Sequence, residues 1–358
     1  MEFTLEWPLI TPDLPGIGGQ IKTEPSHFIV EEIPLYEPAG EGEHVYVCLR
    51  REGWTTRDLQ VRLASLFGLK NHSVGYAGLK DKYARATQVF SLHLQHGSEA
   101  EVVQKIREHL PVEVLWARRH RNKLRLGHLL GNRFRILLVD PNPGALDVAM
   151  KVRDALMERG VPNYFGRQRF GIDGHNVRRG RDVLLGQGPR QPWLKRLLLS
   201  AFQSFLFNEW LAERIRRQWF DRILPGDIAK KVDTGGLFLV TDAEEAMERL
   251  QRRMITYTGP IYGYRLWWAE GAPGELEQEI LQRAEVPTEA FRRAKLEGAR
   301  RPARLWLRDL DIAPSEEGLW FSFTLPKGSY ATVVLQEFMK APIMLEESED
   351  PTDEKGVA

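Results

Sequence analysis

The sequence predicts a protein of the α+β class. Three observations support this prediction: short strand patterns near both ends of the chain, longer helical patterns between them, and an irregular order of helices and strands. Such an irregular order is typical of α+β architecture. A length of 358 residues is enough for two domains or for one large domain.

The N-terminal part contains two predicted strands and one helix with a clear start signal. Residues 28–33 and residues 88–94 have the apolar or alternating character of strands. Residues 55–67 are predicted to be helical, because Thr55 and Asp58 stand at the spacing of a capping box and leucines follow at helical spacing.

The central and C-terminal parts add further helices and short strands. Residues 134–139 form a short apolar run that predicts a strand, and a helix is predicted over residues 145–159. A long helix with one broad apolar face is predicted over residues 193–220. Residues 318–325 alternate like a strand, and residues 331–340 are predicted to be helical.

The composition is that of an ordinary packed protein, with 42% apolar residues. The single cysteine, Cys48, excludes an internal disulfide and a zinc site with several cysteines. The chain begins without a basic segment and has no long apolar stretch. The sequence therefore predicts neither a signal peptide nor a membrane span, and we expect a cytoplasmic protein.

The net charge of +1 conceals a strong segregation of charge along the chain. Residues 1–49 have a net charge of −8, residues 50–220 of +16, residues 221–340 of −2 and residues 341–358 of −5. The basic centre predicts a surface that binds a polyanion, and the alternative is that the acidic flanks fold back and neutralise it. The acidic stretch 346–358 lacks apolar periodicity and is predicted to be disordered.

Residues 118–135 contain seven bases and no acid. Basic side chains contact phosphates, and an aromatic ring such as that of Phe134 can stack on an unpaired base. The segment therefore predicts an RNA-binding surface, with a solvated hairpin as the alternative. The predicted phosphate contacts are Arg119, Arg121, Lys123 and Arg125.

Residues 75–88 contain one carboxylate, Asp81, which stands between Lys80 and Lys82 and follows two glycines. Nearby positive charge keeps a carboxylate ionised, and glycines allow another chain to approach closely. This arrangement suits a single reactive carboxylate that meets an anionic substrate. The alternative is a surface turn with a solvated charge triplet.

The string GYAGLKDKYARATQ at residues 75–88 resembles the catalytic motif of the TruD family of tRNA pseudouridine synthases, in which the Asp of a G-x-K-D-x-x-A segment is catalytic. Three further strings resemble this family and occur in its order along the chain: GNRF at 131–134, NYFGRQRFG at 163–171 and LPKGSYAT at 325–332. The family usually has threonine where this chain has Ala86, which concerns a local hydroxyl contact rather than Asp81.

The resemblance implies a pseudouridine-synthase-type catalytic domain with a mixed or antiparallel sheet, and an inserted α/β domain, the TRUD domain, that is specific to the family. By this resemblance the catalytic domain comprises residues 1–154 and 308–345, and the insert comprises residues 155–307.

The resemblance also implies an activity: isomerisation of a uridine of tRNA, at position 13, to pseudouridine. Asp81 is then the catalytic carboxylate, and Lys22 and Lys80 are supporting cations at the substrate. Attack on C1′ of the sugar and on C6 of the uracil both remain open. The residues expected to shape the base pocket are Phe28, Asn132, Phe134 and Tyr330.

Signatures of other enzyme classes are missing from the sequence. It contains no phosphate-binding loop of NTPases and no zinc-deaminase motif, and residues 16–19 are predicted to be a loop. His93 and His96 have no cysteine or acid companions nearby and are predicted to be surface histidines. We therefore expect a monomer that acts on tRNA without a metal, a nucleotide cofactor or a membrane.

Two other functions remain open at this point. The first is a non-catalytic RNA-binding protein that uses only the basic segment. The second is a glycoside-processing enzyme with two carboxylates, which is weaker because no second acid stands near Asp81 in the sequence.

Overall fold

A computed structural model describes residues 4–341 of the chain, so the predicted disorder of residues 346–358 lies outside the described residues. The chain forms two compact units. The sheet unit comprises Ile17–Arg153 and Leu307–Ala331, and the helical unit comprises Asp154–Trp306 with residues 4–16 and 332–341. The domain boundaries that the resemblance implies stay a prediction.

The secondary structure of residues 4–341 is as follows. The strands are β1 (Gly18–Gln20), β2 (Phe28–Pro34), β3 (His44–Arg51), β4 (Val74–Tyr76), β5 (Arg85–His93), β6 (Glu113–His120), β7 (Leu129–Pro141), β8 (Val161–Pro162), β9 (Ile228–Lys231), β10 (Leu237–Leu239), β11 (Ile255–Ile261), β12 (Ala299–Pro302), β13 (Arg304–Leu305), β14 (Asp311–Ser315) and β15 (Gly318–Pro326). The helices are α1 (Thr56–Leu66), α2 (Glu99–His109), α3 (Ala145–Arg159), α4 (His175–Leu184), α5 (Pro192–Arg216), α6 (Ala243–Gln251), α7 (Gly271–Arg283), α8 (Thr288–Arg293) and α9 (Ala331–Met339).

The sheet unit is built on a nine-stranded mixed sheet. Its main path has the order β14-β15-β7-β2-β5-β3-β6. Outside this path, β1 pairs with β7, and β4 pairs with β5. The pairing of β2 with β5 is parallel, and the other pairs of this sheet are antiparallel. The parallel pair places the N-terminal strand β2 in the middle of the sheet, between segments that lie far apart in the sequence.

Helices α1 and α2 cover part of one face of this sheet. Val47 and Leu49 of β3 and Phe90 of β5 belong to a buried core with Leu63 of α1 and Ile106 of α2. Both helices begin with a capping box, at Thr55 with Asp58 and at Ser98 with Glu101. The capping boxes satisfy amide groups at each helix start that have no partner within the helix.

The helical unit has a different organisation. The long helix α5 packs against α4, α7 and β11. Strands β9 to β12 form a four-stranded sheet of order β10-β9-β11-β12, in which all pairs are antiparallel, and β8 pairs with β13. Among the helices of residues 4–341, none has both the length and the apolar character that a membrane crossing needs.

The α+β class and the mixed sheet are confirmed, and so are the predicted helices α1 and α3. Helix α5 ends at Arg216, four residues before the predicted end at 220. The predicted loop at residues 16–19 was wrong in part, because Gly18–Gln20 forms β1 along the end of β7. Strand β7 is longer than the predicted 134–139, since it pairs with β2 on one side and with β15 on the other.

Candidate active site

The connection between β4 and β5, residues 77–84, carries Asp81 and is held by a buried arginine. Arg51, at the end of β3, is only 2% exposed. Its guanidinium donates to the backbone carbonyl of Asp81 at 2.8 Å, to that of Lys80 at 3.0 Å and to that of Trp54. Three hydrogen bonds from one charged group to backbone carbonyls fix the path of the chain at Asp81.

The charge of Arg51 is maintained in this buried position. Burial lowers the pKa of Arg51 to about 10, while the carboxylates of Asp81 and Glu32 oppose that shift. The guanidinium therefore remains protonated at neutral pH and keeps its donors.

The carboxylate of Asp81 is bound at both oxygens. Its Oδ2 accepts a hydrogen bond from Nζ of Lys22, and its Oδ1 accepts one from the backbone N–H of Tyr83 at 3.1 Å. The side chain is nevertheless 41% exposed, whereas that of Lys22 is 13% exposed. Asp81 is therefore fixed in place and still open to a molecule that approaches from solvent.

The environment of Asp81 favours the ionised form. Burial by itself raises the pKa of this carboxyl, but the ammonium of Lys22, the N–H of Tyr83 and the guanidinium of Arg51 together lower it below its ordinary value. The prediction that cations keep this carboxylate charged is thus met by Lys22 and Arg51, which lie outside the local Lys-Asp-Lys triplet.

Lys80 is turned away from Asp81 and is bound to Glu32. Its Nζ lies 2.5 Å from Oε1 of Glu32, and the two side chains are only 5% and 3% exposed. The other oxygen of Glu32 accepts from the backbone N–H of Val89 at 3.1 Å. Burial lowers the pKa of Lys80, and the carboxylate of Glu32 opposes that shift.

Two further polar side chains complete this buried network around residues 77–84. Nε2 of Gln88 donates to the carbonyl of Gly78 at 2.6 Å, and Oγ1 of Thr56 accepts from the backbone N–H of Lys80 at 2.9 Å. Thr56 in turn donates to Gln88 at 3.0 Å. Helix α1, strand β5 and strand β2 thus all hold the segment that carries Asp81.

A row of aromatic rings on the sheet lies next to Lys22. Nζ of Lys22 lies 4.8 Å from the centre of the Phe28 ring, and Phe28 packs edge-on against Phe134 at 6.2 Å. Phe134 also packs against Phe323 on β15 at 5.7 Å. Three of the predicted site residues, Lys22, Phe28 and Phe134, therefore form one continuous cluster with Asp81.

Asn132 and Tyr330 complete the set of predicted pocket residues. Asn132 stands two residues before Phe134 on β7, on the same face of the sheet, and its Oδ1 is buried without a hydrogen-bond partner among the described residues. Tyr330 is half-buried and directly precedes α9. A buried acceptor without a partner is rare and suggests a ligand donor at that place.

Three residues of this cluster were not singled out from the sequence: Arg51, Glu32 and Phe323. The strand pattern gave a partial signal for two of them. Arg51 falls at a buried position of β3, and Phe323 lies on the same buried face of β15 as Phe321 and Leu325. No local signal indicates Glu32, because its partners Lys80 and Val89 come from distant parts of the sequence.

The four predicted phosphate contacts have different surroundings. The guanidinium of Arg119 donates to the carbonyls of Gly42, Leu94 and Gly97 at 2.8, 2.9 and 2.6 Å, so its donors are used within the fold. Arg121 pairs with Glu41 of the acidic N-terminal flank, and Nζ of Lys123 donates to the carbonyl of His72. Arg125 is exposed, and its side chain has no partner among the described residues.

In the part of the chain that the structure describes, no group of three His, Cys, Asp or Glu side chains is placed so that it could hold a metal ion. His93 stacks on His44 at 4.8 Å and is partly exposed. The expectation of a cofactor-free protein stays a prediction.

Comparison with known proteins places these residues in a family. The family model for tRNA pseudouridine synthase D (TruD) matches residues 5–188 and 189–338. A tRNA pseudouridine synthase D of Thermus thermophilus is 45% identical over 354 residues, which is 98% of both chains. One of an Anaeromyxobacter species is 42% identical over 352 residues, covering 96% of this chain and 99% of the relative.

The fold agrees with that comparison. A crystal structure from Methanosarcina mazei, described as tRNA pseudouridine synthase D (TruD), matches with a TM-score of 0.73 and 26% sequence identity, covering 92% of this chain and 95% of that one. The sequence match to the Thermus thermophilus relative covers 98% of this chain, and the structural match covers 92% of it. The chain therefore belongs to the tRNA pseudouridine synthase D (TruD) family.

Proposed function

We propose that this chain, as a tRNA pseudouridine synthase, uses Asp81 as its catalytic carboxylate and acts on the uridine at position 13 of its tRNA substrates. Family membership supports the reaction. The observation that supports the assignment of Asp81 is its geometry. Its carboxylate is exposed and bound by Lys22, and its backbone carbonyl is bound by Arg51.

The reaction is an isomerisation, so no external reactant is consumed. The bond from C1′ of the ribose to N1 of the uracil breaks, and a bond from C1′ to C5 forms. The proton on C5 is lost, and N1 carries a proton in the product. A carboxylate can act on the sugar or the base as a nucleophile, and it can assist the proton transfer.

Several features of Asp81 match this task. Lys22 and Arg51 keep the carboxylate ionised, so it is ready to act as a nucleophile or a base near neutral pH. Arg51 fixes the backbone, and a fixed nucleophile lowers the entropic part of the barrier. A small misplacement would therefore reduce the rate.

The base pocket is proposed to consist of Phe28, Phe134, Asn132 and Tyr330, with Lys22 and Lys80 as nearby cations. A target base must leave its stack to reach the carboxylate, and aromatic rings give a flipped base a new stacking surface. The unpartnered Oδ1 of Asn132 can accept the N3–H of uracil. That hydrogen bond would satisfy an acceptor which is otherwise buried alone.

The substrate and the location follow from the same proposal. We assign tRNA as the macromolecular partner, with the basic segment 118–135 as part of its binding surface. An enzyme that acts on tRNA is expected in the cytoplasm.

The test of the catalytic assignment is Asp81→Asn, which removes the charge and the nucleophilic oxygen with almost no change of shape. Turnover on unmodified tRNA, measured by mass-sensitive labelling of pseudouridine at each position, should fall below detection. Binding of tRNA should stay within a few-fold of the parent, because an interaction required only in the transition state affects rate more than affinity.

The matched control is Asp140→Asn. Asp140 belongs to the same unit, is exposed, and has a φ of 51°, a left-handed conformation that asparagine also adopts. This control should keep the parent rate. A folded Asp81→Asn protein with near-parent turnover would contradict the assignment. If the parent protein binds tRNA but forms no pseudouridine, the result would support the alternative of a non-catalytic RNA-binding protein.

A further inference from the structure

A cavity of about 310 Å³ lies in the sheet unit, and the proposed reaction does not use it. Its volume falls at the lower end of the range for small-ligand sites. The residues that contribute its aromatic and acidic lining are Tyr36, Tyr46, Trp116, His128, Glu31, Glu32 and Glu37. A cavity with aromatic walls and a few carboxylates suits a flat ligand that carries N–H donors.

The cavity lies on the face of the sheet opposite to Phe134. Val30 of β2 is in register with Phe134 and with Ala86, so these three side chains share one face. The cavity residues Glu31 and Val89 occupy the alternate positions of β2 and β5, and they point the other way. The cavity is therefore distinct from the aromatic cluster beside Asp81. Glu32 is shared by the two, since it lines the cavity, is in register with Asn132 on the Phe134 face and is bound to Lys80.

The aromatic walls of the cavity are held rigidly. The hydroxyl of Tyr36 lies 2.9 Å from Nδ1 of His128 and 3.4 Å from the hydroxyl of Tyr46, which donates to the carbonyl of Asn122 at 3.0 Å. The ring of Tyr36 also stacks on that of His120 at 5.1 Å. With the hydroxyls engaged in this chain, the tyrosines offer ring surface to a ligand.

Two carboxylates of the cavity are available to a ligand. Glu32 is committed to Lys80 and to the N–H of Val89. The carboxylates of Glu31 and Glu37, by contrast, have no hydrogen-bond or ion-pair partner within residues 4–341. Glu31 is half-buried and Glu37 is exposed, so together they offer acceptors at the wall and at the rim.

Exposed arginines surround the cavity on the same face of the sheet. Arg133 is in register with Glu31, and Arg118 is in register with Tyr46. The side chains of both arginines have no partner among the described residues. Arg135 follows on this face, with its guanidinium 4.5 Å from the ring centre of Trp320. The surroundings of the cavity therefore attract an anionic backbone, although the cavity itself holds acids.

We propose that this cavity binds an unpaired guanine of the RNA substrate, with the flanking phosphates on Arg118 and Arg133. This proposal rests on the proposed function, since it concerns the same substrate. A cationic peptide or a free amine would suit Glu31 and Glu37, but the arginines around them would repel it. An RNA nucleotide suits both groups, because its base can donate hydrogen bonds to the carboxylates while its phosphates bind the arginines.

The choice of guanine follows from its donors. Its N1–H and N2 amino group stand side by side and can both bind one carboxylate, whereas uracil offers a single N3–H and adenine and cytosine one amino group on that edge. Trp116 and the two tyrosines then supply the stacking surface that single-stranded recognition uses.

The experiment uses the full chain and a tRNA transcript in which 6-thioguanosine replaces guanosine. Irradiation of the complex should crosslink the protein within residues 31–38 or 113–120, as read by mass spectrometry of the peptides. Trp116→Ala should lose this crosslink and weaken tRNA binding about 10-fold, of the order expected when one base no longer stacks. Glu31→Gln should also lose the crosslink, because an amide cannot accept both guanine donors. Glu108→Gln, on the exposed side of α2, is the matched control and should change neither.

The outcomes separate this proposal from the proposed function. Asp81→Asn should keep the crosslink and lose turnover, because the two sites lie on opposite faces of the sheet. Two results would overturn the guanine site in a parent protein that still forms pseudouridine. One is crosslinking only in peptides outside residues 31–38 and 113–120. The other is that neither variant changes the crosslink or the affinity for tRNA. A parent without turnover would instead contradict the proposed function.

Discussion

Asp81 and Lys22 are 59 residues apart in the sequence and meet as one ion pair. The sequence predicted an ionised Asp81 because two lysines adjoin it. The carboxylate is ionised, but its partner is Lys22, and Lys80 is bound to Glu32 instead. Resemblance to the family motifs singled out Asp81, Lys22, Phe28 and Phe134, and the structure brings these side chains together. The sequence could not identify Lys22 as the direct partner from local pattern alone, since that ion pair depends on how the β2 and β5 segments come together.

At this scale the ion pair predicts a change in pH dependence. In Lys22→Gln the largest influence that lowers the pKa of Asp81 is removed, while the burial that raises it remains. The pKa of Asp81 should rise, so the fall in turnover on acidification should begin at a higher pH than in the parent. The measurement is the pH profile of single-turnover rates on tRNA.

Lys82→Gln is the control for that experiment, because Lys82 adjoins Asp81 and is exposed. Its profile should keep the acid limb of the parent, and a shift as large as that of Lys22→Gln would contradict the assignment of partners. The ion pair also stabilises the fold above the pKa of the unfolded aspartate, about 3.9. That contribution is lost as the pH falls through the lower pKa of the folded state.

At the scale of elements, the segment between β4 and β5 depends on a buried ion pair. The side chains of Lys80 and Glu32 are almost fully buried, and each compensates the charge of the other. Removal of one partner from such a pair leaves a buried charge alone. The free energy of unfolding should therefore respond more strongly to single changes than to a paired change.

Lys80→Met and Glu32→Gln, each alone, should lower the free energy of unfolding by about 3–5 kcal/mol. The double variant should be destabilised by clearly less than the sum of the two, because neither charge remains. Urea unfolding of the three variants and the parent measures this difference. Strictly additive effects would show that the two charges do not stabilise each other.

The same series tests the predicted contact of Lys80 with the substrate. If Lys80 acts only within the fold, the folded double variant should retain the parent affinity for tRNA. A large decrease of affinity at unchanged stability would instead support the substrate contact that the family resemblance implies.

Local signals were sufficient for single elements and insufficient for their pairing. The capping box at Thr55 fixed the start of α1, and the turn after residue 139 marked the start of α3. The full length of β7 and the existence of β1 depended on partner strands that come from other parts of the chain. The parallel pairing of β2 with β5 has no local sequence signal, because it is formed across more than fifty residues.

At the scale of the whole molecule, the central basic part of the chain should govern how tRNA binding depends on salt. The net charge of +16 over residues 50–220 predicts a steep fall of affinity with salt concentration. The structure separates the arginines of the basic segment into two groups. Arg119 and Arg121 have partners within the fold, whereas the side chains of Arg125 and Arg133 are exposed without partners among the described residues.

Changing Arg125 and Arg133 together to alanine should flatten the slope of log affinity against log salt by about 0.7–0.9 for each phosphate that is no longer neutralised. Arg119→Ala should mainly lower stability, because three backbone carbonyls are left without their donor. Filter binding over a salt series and thermal unfolding measure the two effects. If only Arg121 and Lys123 variants change the slope, the phosphate contacts would instead be the residues that the sequence predicts.

Arg51 holds the segment of Asp81 through main-chain carbonyls, and this has a consequence for how the protein can evolve. Every residue has a backbone carbonyl, so the hydrogen bonds to residues 80 and 81 do not depend on which side chains stand there. Leu79, which is 72% exposed, and Lys82 are therefore free to vary without releasing the backbone. A library randomised at these two positions should therefore retain many folded members, which thermal unfolding of individual clones would measure.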